Sequence, residues 1–297
     1  NSAESVYQWE KAIDLYTKML AEPQSPEDEF KLLKRRIECY YNLGDIRHAI
    51  FDQDRINSLI EALEDKQLQV QALNLLASIY TSQGNFSQAQ TSVEQAINIS
   101  QKIGDKKLEA DSADKLADVF GEMGKYQDAI SVSEKAIEHY QLLDDLPGKI
   151  RAYCHLGFYY YRSGNNELTR AFGEQAVELA KHLGDPILYG SALNILSMSE
   201  ADLAKQINIL QMAVESLEIS RAFGRQATIT YNLGLSYLLF GLYHRAAELI
   251  ENACNFARKT NTLDSFMLYS LFLAFAYIRQ HEFEKAKHKL EEFLSIF

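Results

Sequence analysis

The stretch Leu76–Gln90, LASIYTSQGNFSQAQ, has a counterpart forty residues later in Leu116–Ile130, LADVFGEMGKYQDAI. Few residues are identical, yet leucine, alanine, aromatic, glycine, aromatic and alanine occur in the same order at the same spacing. Residue types that are kept at a fixed period, while the positions between them vary, indicate an internal repeat. In such a repeat the kept positions form the contacts between units, and the variable positions lie at the surface.

The small residue after the first leucine returns along most of the chain. Successive copies are 40, 40, 40, 37 and 40 residues apart. An aromatic residue three positions later and a glycine seven positions later recur in most copies. The copies of the small residue are Ala77, Ala117, Gly157, Ser197, Gly234 and Ala274, with Ile37 one step before them.

The kept positions are those that a helical hairpin needs. Residues three apart share one face of an α-helix, so the small residue lets two helix backbones approach while the aromatic fills the space beside it. Glycine ends this first helix because it adopts the left-handed conformation at little cost. A single hairpin cannot bury its apolar face, so stacking is needed for a continuous core. The sequence therefore predicts an all-α solenoid of stacked antiparallel helical hairpins.

This pattern of small residue, aromatic, glycine, aromatic and alanine resembles the tetratricopeptide repeat (TPR), whose usual unit is about 34 residues. The longer unit is similar to the subclass of kinesin light chains, LGN/Pins adaptors, Rap-type peptide receptors and the sensor arms of bacterial ATPase regulators. The resemblance covers about residues 9–297 and implies a right-handed superhelix. It divides the chain into an unpaired second helix and seven repeats, at 6–20, 28–62, 66–102, 106–142, 147–182, 186–222, 226–260 and 264–297.

Two departures from the pattern have structural consequences. The repeat at 186–222 is three residues short and has Ala204 in its glycine position, so we expect a local change of superhelix geometry near 200–228. The chain also begins with a second helix and stops directly after another, at Phe297, whereas repeat arrays normally carry polar caps. We therefore expect the chain to be a segment of a longer protein.

The composition limits the environment and the partners. The formal net charge of −11 weighs against nucleic acid and anionic membranes as partners. The sequence contains no run of about 18 apolar residues that could span a membrane, and its first residues do not resemble a signal peptide. The three cysteines are scattered, which is typical of a reducing compartment. These features predict a cytoplasmic protein.

Signatures of catalysis are absent from the sequence. We find no GxSxG, GxxxxGK[ST], HExxH, CxxC or GxGxxG motif. Cys154 and His155 are neighbours, so on a helix they point about 100° apart and do not form a catalytic dyad. Neither the pair His281 and His288 nor Asp144 with its neighbour has the further ligands of a zinc or calcium site. We expect no enzymatic activity, no cofactor and no metal.

The resemblance implies a binding groove, because the first helices of TPR arrays line the concave surface. Candidate partner-binding residues are those at groove-facing positions whose side chains suit a protein or peptide partner. They are Lys34, Arg35, Asn74, Ser78, Asp111, Asp114, Asp118, Arg151, His155, Arg162, Asn194, Tyr231, Asn232, Leu235 and Phe272.

Charged groups dominate the first part of this set. A basic patch contains Lys34 and Arg35, and an acidic stripe runs through Asp111, Asp114 and Asp118. Like charges three and four residues apart repel each other, so a basic side chain of the next repeat or a cationic partner would relieve the stripe. The alternatives are that these charges are simply solvated or that neighbouring repeats pair them with one another.

Asparagines form a second feature. In related longer-repeat proteins, groove asparagines hydrogen-bond the backbone of a bound peptide, whose polar groups need partners once buried. Asn232, in YNLG at 231–234, matches the NLG motif of those proteins. Asn74 and Asn194 stand one residue earlier in their repeats and match it less closely.

The first helices of the last two repeats are apolar on nearly every side, with the sequences YNLGLSYLLF and SFMLYSLFLAFAY. A helix that is apolar all round is normally buried, and two neighbouring helices bury only part of it. Leu238, Leu239, Leu268, Phe272 and Phe275 therefore need a cover. A further helix of the same polypeptide, a second copy of the chain or an amphipathic helix of a partner would each supply one.

These features favour a non-enzymatic module that binds a peptide or helix of a partner protein in its concave groove, within a larger signalling or regulatory protein. One alternative is a sensor arm that inhibits an effector domain of the same polypeptide. Others are an oligomerisation scaffold and a Rap-like phosphatase or peptide-gated regulator, although the chain lacks the N-terminal domains of the last class.

Overall fold

The structure is a computed structural model that describes residues 8–259 and 262–294. The described residues form α-helices joined by short turns and contain no strand. The helices are α1 (Trp9–Leu20), α2 (Pro26–Leu43), α3 (Ile46–Phe51), α4 (Gln53–Ile60), α5 (Lys66–Ser82), α6 (Phe86–Ile103), α7 (Lys106–Glu122), α8 (Tyr126–Leu142), α9 (Leu146–Arg162), α10 (Asn166–Leu183), α11 (Pro186–Met198), α12 (Leu203–Ser220), α13 (Phe223–Leu239), α14 (Tyr243–Lys259), α15 (Leu263–Arg279) and α16 (Phe283–Leu294).

An aspartate caps several of the first helices. The carboxylates of Asp65, Asp105, Asp145 and Asp185 accept hydrogen bonds of 2.8–3.2 Å from backbone N–H groups at the start of α5, α7, α9 and α11. Such a cap satisfies a donor that the helix leaves open, and it contributes about 1 kcal/mol. The aspartate that precedes each of these helices therefore fixes where the next repeat begins.

The helices form two layers of a right-handed α-solenoid, as the repeat predicts. Each first helix packs against the second helix that follows it, and each second helix packs against the next first helix. First helices also contact first helices of neighbouring repeats, which places them on the inside. The alanines at the kept positions, such as Ala77, Ala89, Ala117 and Ala129, are fully buried between helices.

The second helix that follows α2 is broken at Asp52, where α3 ends and α4 begins. The carboxylate of Asp52 accepts hydrogen bonds from Nε of Arg36 at 3.1 Å and from Nη2 at 2.6 Å. Only 14% of the Arg36 side chain and 10% of the Asp52 side chain are exposed. This two-point ion pair ties α2 to the break.

The missing three residues of the short repeat fall in its first helix. Helix α11 has 13 residues, whereas α9 has 17. The turn at 199–202 is one residue longer than the corresponding turn at 163–165, and α12 has the same 18 residues as α10. The deletion has therefore removed the last turn of a helix on the inner layer.

The superhelix closes on itself, because α2 contacts α13. A Cβ atom added to Gly224 would lie 2.7 Å from Cα of Gly44, the residue at which α2 ends with a positive φ of 78°. Next to this contact, the indole Nε1 of Trp9 donates a 3.1 Å hydrogen bond to the carbonyl oxygen of Ser220. The first repeat therefore packs against the sixth, and the inner layer surrounds a central space.

Candidate functional site

The closed superhelix surrounds a cavity of about 660 Å³, here called the central cavity. Six first helices, α2, α5, α7, α9, α11 and α13, contribute its wall. The lining residues are Tyr41, Ser78, Thr81, Ser82, Lys115, Asp118, Gly121, Glu122, Cys154, His155, Phe158, Tyr159, Ser191, Asn194, Ile195, Arg225, Thr228 and Ile229.

Four of the candidate residues from the sequence lie in this wall: Ser78, Asp118, His155 and Asn194. They come from four successive repeats, so the stacking brings distant parts of the chain to one site. The other candidates surround the wall or lie elsewhere, as described below.

A charge cluster lies on the α7 and α9 side of the cavity. Nδ1 of His155 is 2.9 Å from Oδ1 of Asp114 and 3.3 Å from Oδ1 of Asp118. Lys115 approaches Asp118 to 2.8 Å, and the hydroxyl of Tyr159 donates to Asp118 at 3.4 Å. Asp114 is only 6% exposed, so it acts as a buried partner of the imidazole.

The cluster changes the protonation equilibria of its members. Burial alone would lower the pKa of His155, but Asp118 and Asp114 outweigh it and hold that pKa above its usual value. Burial would raise the pKa of Asp118, but His155 and Lys115 hold it below its usual value. The pKa of Lys115 is raised because Asp118 outweighs the effect of burial. The charged forms of all three groups therefore stabilise one another.

Asp111, the first residue of the acidic stripe, faces three donors. Its Oδ1 accepts hydrogen bonds from Nζ of Lys107 at 2.9 Å and from the hydroxyl of Tyr140 at 2.8 Å. Nη2 of Arg151, in the next repeat, lies 3.5 Å away. Pairing within and between repeats therefore compensates the stripe.

On the α5 side, the wall consists of hydroxyl acceptors. Ser78, Thr81 and Ser82 each donate their hydroxyl hydrogen to a backbone carbonyl four residues earlier, at distances of 2.7–3.2 Å. Because a hydroxyl has a single hydrogen, the lone pairs are what these groups can offer to a ligand. This side of the cavity therefore accepts hydrogen bonds.

The opposite side carries a cation that no carboxylate neutralises. Nη1 of Arg225 donates to Oγ of Ser191 at 3.1 Å, and within the described ranges no carboxylate lies within 4.0 Å of its guanidinium. The Arg225 side chain is exposed to the solvent of the cavity. Burial raises the pKa of the neighbouring Cys154 thiol to about 12, so that thiol stays neutral and does not balance the guanidinium.

Glu122, at the end of α7, is an anion of the cavity wall that likewise lacks an ion-pair partner among the described residues. Burial, followed by the charge of Asp118, raises the pKa of Glu122. The cavity thus has a carboxylate on the α7 wall and a guanidinium on the α13 wall, and neither forms an ion pair within 4.0 Å with a described residue.

The basic patch and Arg162 lie outside the cavity wall. Nζ of Lys34 donates to Gln71 at 2.8 Å, and Nη1 of Arg35 lies 3.3 Å from a carboxylate oxygen of Glu38. The guanidinium of Arg162 stacks over the rings of Tyr126 and Phe158, with 5.3 and 5.9 Å to the ring centroids.

The candidate asparagines form bridges between repeats. Nδ2 of Asn74 donates to Oγ of Ser112 at 2.9 Å, and Oδ1 of Asn74 is buried without a hydrogen-bond partner among the described residues. Nδ2 of Asn232 donates to Oδ1 of Asn194 at 3.0 Å, and Asn194 itself lines the cavity.

The apolar candidates belong to a cluster formed by α13, α14, α15 and α16 and not to the cavity wall. Tyr231 is 6% exposed and stacks on Tyr269 with 4.3 Å between ring centroids. Phe272 lies edge-on to Tyr231, and Leu235 packs against the same cluster.

Arg225 is not among the candidate residues predicted from the sequence. It lies nine residues before the small residue Gly234, outside the positions that the repeat places inside the groove. It faces the cavity because it belongs to the first turn of α13, next to the closure contact. Only an estimate of superhelix curvature could have pointed to it.

Two further properties bear on function. Within residues 8–259 and 262–294, no three histidine, cysteine or acidic side chains converge as a metal site would require. None of the helices described is both long and apolar enough to cross a bilayer.

The family follows from sequence and architecture together. Residues 68–142 and 109–182 match the tetratricopeptide repeat family model, and the helical hairpins of the structure continue on both sides of this range. Residues 68–182 are therefore tetratricopeptide repeats. TPR proteins are generally non-catalytic modules for protein–protein interaction.

Several solved structures of TPR solenoids have a similar fold. A Rap protein complexed with competence and sporulation factor has a TM-score of 0.66 at 14% identity, and the match covers 99% of this chain and 94% of that one. A signal transduction ATPase with a TPR sensor, from Pyrococcus horikoshii, has a TM-score of 0.62 at 16% identity over 95% of this chain and 45% of that one. The hetero-tetramer Cut9–Hcn1 of the APC/C has a TM-score of 0.66 at 18% identity, and the match covers 97% of this chain and 50% of that one. No curated protein sequence matches this TPR chain.

Proposed function

We propose that this TPR protein binds a peptide segment of a regulatory partner inside the central cavity, and that it acts without catalysis. The observation that carries the proposal is the cavity itself, to which six repeats contribute polar side chains. Its volume of about 660 Å³ lies in the range of about 300–1,000 Å³ that is typical of ligand sites.

The polar groups of the wall suit a peptide. A peptide backbone carries a donor and an acceptor at each residue, and both need partners when water is excluded. The hydroxyls of Ser78, Thr81 and Ser82 can accept from backbone N–H groups, whereas Asn194 can donate to a carbonyl. Phe158 and Ile195 provide apolar contact beside them.

A regulatory role agrees with two of the structural relatives, a Rap protein complexed with competence and sporulation factor and a signal transduction ATPase with a TPR sensor. This chain spans less than half of that ATPase. We therefore extend the proposal to a partner segment that either lies in the same polypeptide or arrives as a separate peptide.

Selection from a phage-displayed library of random peptides tests the proposal. Peptides selected on the wild-type protein should lose binding to Ser78→Trp, because the indole would fill the cavity from the α5 wall. Ser87→Trp, on the exposed face of α6, is the matched control and should bind as the wild type does. Peptides that bind all three proteins equally would place recognition outside the cavity and contradict the proposal.

Self-association is a second candidate, favoured by an exposed apolar row on α15. Leu268, Leu271 and Phe275 lie on one face of this helix and are each 46–47% exposed. Exposed apolar patches of this kind commonly mark interaction surfaces. Light scattering should then give a dimer mass for the wild type and a monomer mass for the double variant Leu271→Glu and Phe275→Glu. A monomeric wild type at micromolar concentration would remove this candidate.

A further inference from the structure

A second cavity, of about 240 Å³, lies at the contact that closes the superhelix and is here called the seam pocket. One side is formed by the end of α2 and the start of α3, with Tyr41, Gly44 and Ile46. The other side is formed by the start of α13, the end of α14 and the start of α15. The seam pocket therefore exists only where the first repeat meets the sixth and the seventh.

The aromatic side chains of the seam pocket are held by contacts with their neighbours. The ring of Phe223 stacks on the ring of Phe256 with 5.6 Å between centroids. Tyr269 stacks on Tyr231 at 4.3 Å, and its hydroxyl donates to Oγ1 of Thr228 at 3.4 Å. Rings that are fixed before a ligand arrives lose little conformational freedom on binding, so this wall suits a planar aromatic molecule.

The volume of the seam pocket limits the size of its ligand. An apolar cavity of about 150 Å³ is large enough for benzene. The seam pocket, at about 240 Å³, therefore has room for one or two rings and a small polar group.

The polar groups of the seam pocket favour a neutral ligand with an oxygen acceptor. Thr228 is the acceptor in its bond with Tyr269, so its own hydrogen can be donated to a ligand, and Ser265 is a second hydroxyl of the wall. Arg225 carries the only charge among the described lining residues, and it repels cations. Because the Arg225 side chain is exposed, solvent screens its attraction for anions. A carboxylate would also lose solvation among the rings.

We propose that the seam pocket binds a small, neutral aromatic molecule with a carbonyl or phenolic oxygen, and that this ligand holds the superhelix closed. The ligand contacts α2 on one side and α13 and α15 on the other, and an open superhelix cannot supply both sets of contacts. It therefore binds the closed form more tightly and shifts the population towards that form. This site is separate from the peptide site proposed for the central cavity and does not depend on it.

Saturation-transfer difference NMR tests the class of ligand with four probes. Benzamide and 2-naphthamide carry an aromatic ring and a carbonyl oxygen, cyclohexanecarboxamide has the carbonyl without the aromatic ring, and benzylamine has the ring with a positive charge. The two aromatic amides should bind about 2- to 10-fold more tightly than cyclohexanecarboxamide, because aromatic contacts add to the burial of apolar area. Benzylamine should not bind.

Two substitutions separate the seam pocket from the central cavity. Ser265 lines the seam pocket but not the central cavity, and the reverse holds for Ser78. Ser265→Phe places a ring inside the seam pocket and should weaken binding of both aromatic amides about tenfold or more. Ser78→Trp should bind them as the wild type does, and so should Ser87→Phe, the matched control on the exposed face of α6.

A milder variant guards against misfolding of Ser265→Phe. Phe223→Leu keeps most of the apolar volume but removes the ring that stacks on Phe256, and it should weaken binding of the aromatic amides about 2- to 10-fold. Circular dichroism of each variant checks that the fold is retained.

Hydrogen exchange followed by mass spectrometry tests the effect on closure. Saturation with 2-naphthamide should slow amide exchange on both sides of the seam, in residues 41–46 and 223–228, because opening becomes rarer. Exchange in residues 116–123 of α7, away from the seam, should not change. Ser265→Phe should show no slowing at either side.

The contrary outcomes are distinct. Unchanged affinity of the aromatic amides for Ser265→Phe would place them outside the seam pocket and overturn the inference. Equal binding of cyclohexanecarboxamide and 2-naphthamide, or no binding of either aromatic amide at about 10 mM, would overturn it as well. Slower exchange on the α13 side alone would overturn the role in closure. None of these outcomes bears on the peptide site, which phage display with Ser78→Trp tests by itself.

Discussion

The backbone of Gly224 approaches that of Gly44 so closely that a Cβ on Gly224 would lie 2.7 Å from Cα and 3.0 Å from the nitrogen of Gly44. These atoms belong to the backbone and cannot rotate away as a side chain could. The contact joins the sixth repeat to the first, where the inner layer closes around the central cavity. We predict that this contact limits how far the superhelix opens.

Replacement of Gly224 by alanine should therefore open the superhelix. The added methyl group forces α2 and α13 apart, and overpacking of this kind costs about 1–3 kcal/mol of stability. Small-angle X-ray scattering should show a larger radius of gyration than in the wild type. Trp9→Phe, which removes the indole donor to Ser220, should shift the radius in the same direction.

Gly173→Ala is the matched control for this experiment. A Cβ on Gly173 would lie 3.0 Å from Cα of Leu196, between α10 and α11 and away from the closure contact. It should lower the free energy of unfolding without enlarging the protein. An unchanged radius in Gly224→Ala would show that the closure does not determine the curvature in solution.

Asp114 is predicted to contribute to stability more than to direct recognition. Its carboxylate is buried against His155, so charge reversal there would disturb the fold as well as any bound partner. Asp114→Asn should lower the free energy of unfolding by about 1–3 kcal/mol, because it weakens a buried charge-assisted hydrogen bond. Urea denaturation measures the change.

Asp128→Asn, on the exposed face of α8, is the control and should change stability by less than about 0.5 kcal/mol. Equal stabilities of the two variants would mean that the contact between Asp114 and His155 contributes nothing. A loss of partner binding in Asp114 variants could then be assigned to the groove itself.

The hairpins and the inward-facing positions could be predicted from the sequence because they repeat. A small residue that recurs every 40 residues, as at Ala77 and Ala117, shows which face of each first helix is buried and that this face packs against another helix. Ser78, Asp118, His155 and Asn194 reach the cavity wall for this reason. The binding role assigned to them stays a prediction.

The closure could not be predicted from the sequence, because the curvature of the superhelix is the sum of small rotations between successive repeats. Trp9 and Ser220 are 211 residues apart, and no local pattern connects them. The pairing of His155 with Asp114 likewise depends on the offset between two repeats, so the sequence alone leaves solvated charges, pairing between repeats and a cationic partner as alternatives. Tyr231 was expected in the groove, but the ring of Tyr269 stacks on it and draws it into the apolar cluster.

Arg36 and Arg35 are adjacent arginines with very different environments, which gives a matched test of burial. Arg36 forms a two-point pair with Asp52 and its side chain is 14% exposed, whereas the side chain of Arg35 is 60% exposed beside Glu38. Arg36→Gln should cost about 3–5 kcal/mol because it leaves a buried carboxylate unpaired. Arg35→Gln should cost at most about 1 kcal/mol. Similar midpoints of urea unfolding for the two variants would contradict this difference.

The pH dependence of stability should reveal the charge cluster. The folded-state pKa of His155 lies above its usual value of 6.5 because Asp118 and Asp114 outweigh burial. Its contribution is therefore fully present below pH 6.5 and is lost as the pH rises through the raised folded value. For Asp118, whose pKa is lowered from 3.8, the contribution is complete above that value and is lost as the pH falls through the folded pKa.

The free energy of unfolding of the wild type, measured relative to His155→Gln, should therefore be largest between about pH 4 and 6.5 and should decline towards pH 8. Urea denaturation across this range supplies the profile for each protein. His182→Gln, at the exposed end of α10, should keep the wild-type profile. A difference between wild type and His155→Gln that stays constant from pH 5 to pH 8 would mean that the pKa of His155 is the same in the folded and unfolded states, which would contradict the prediction.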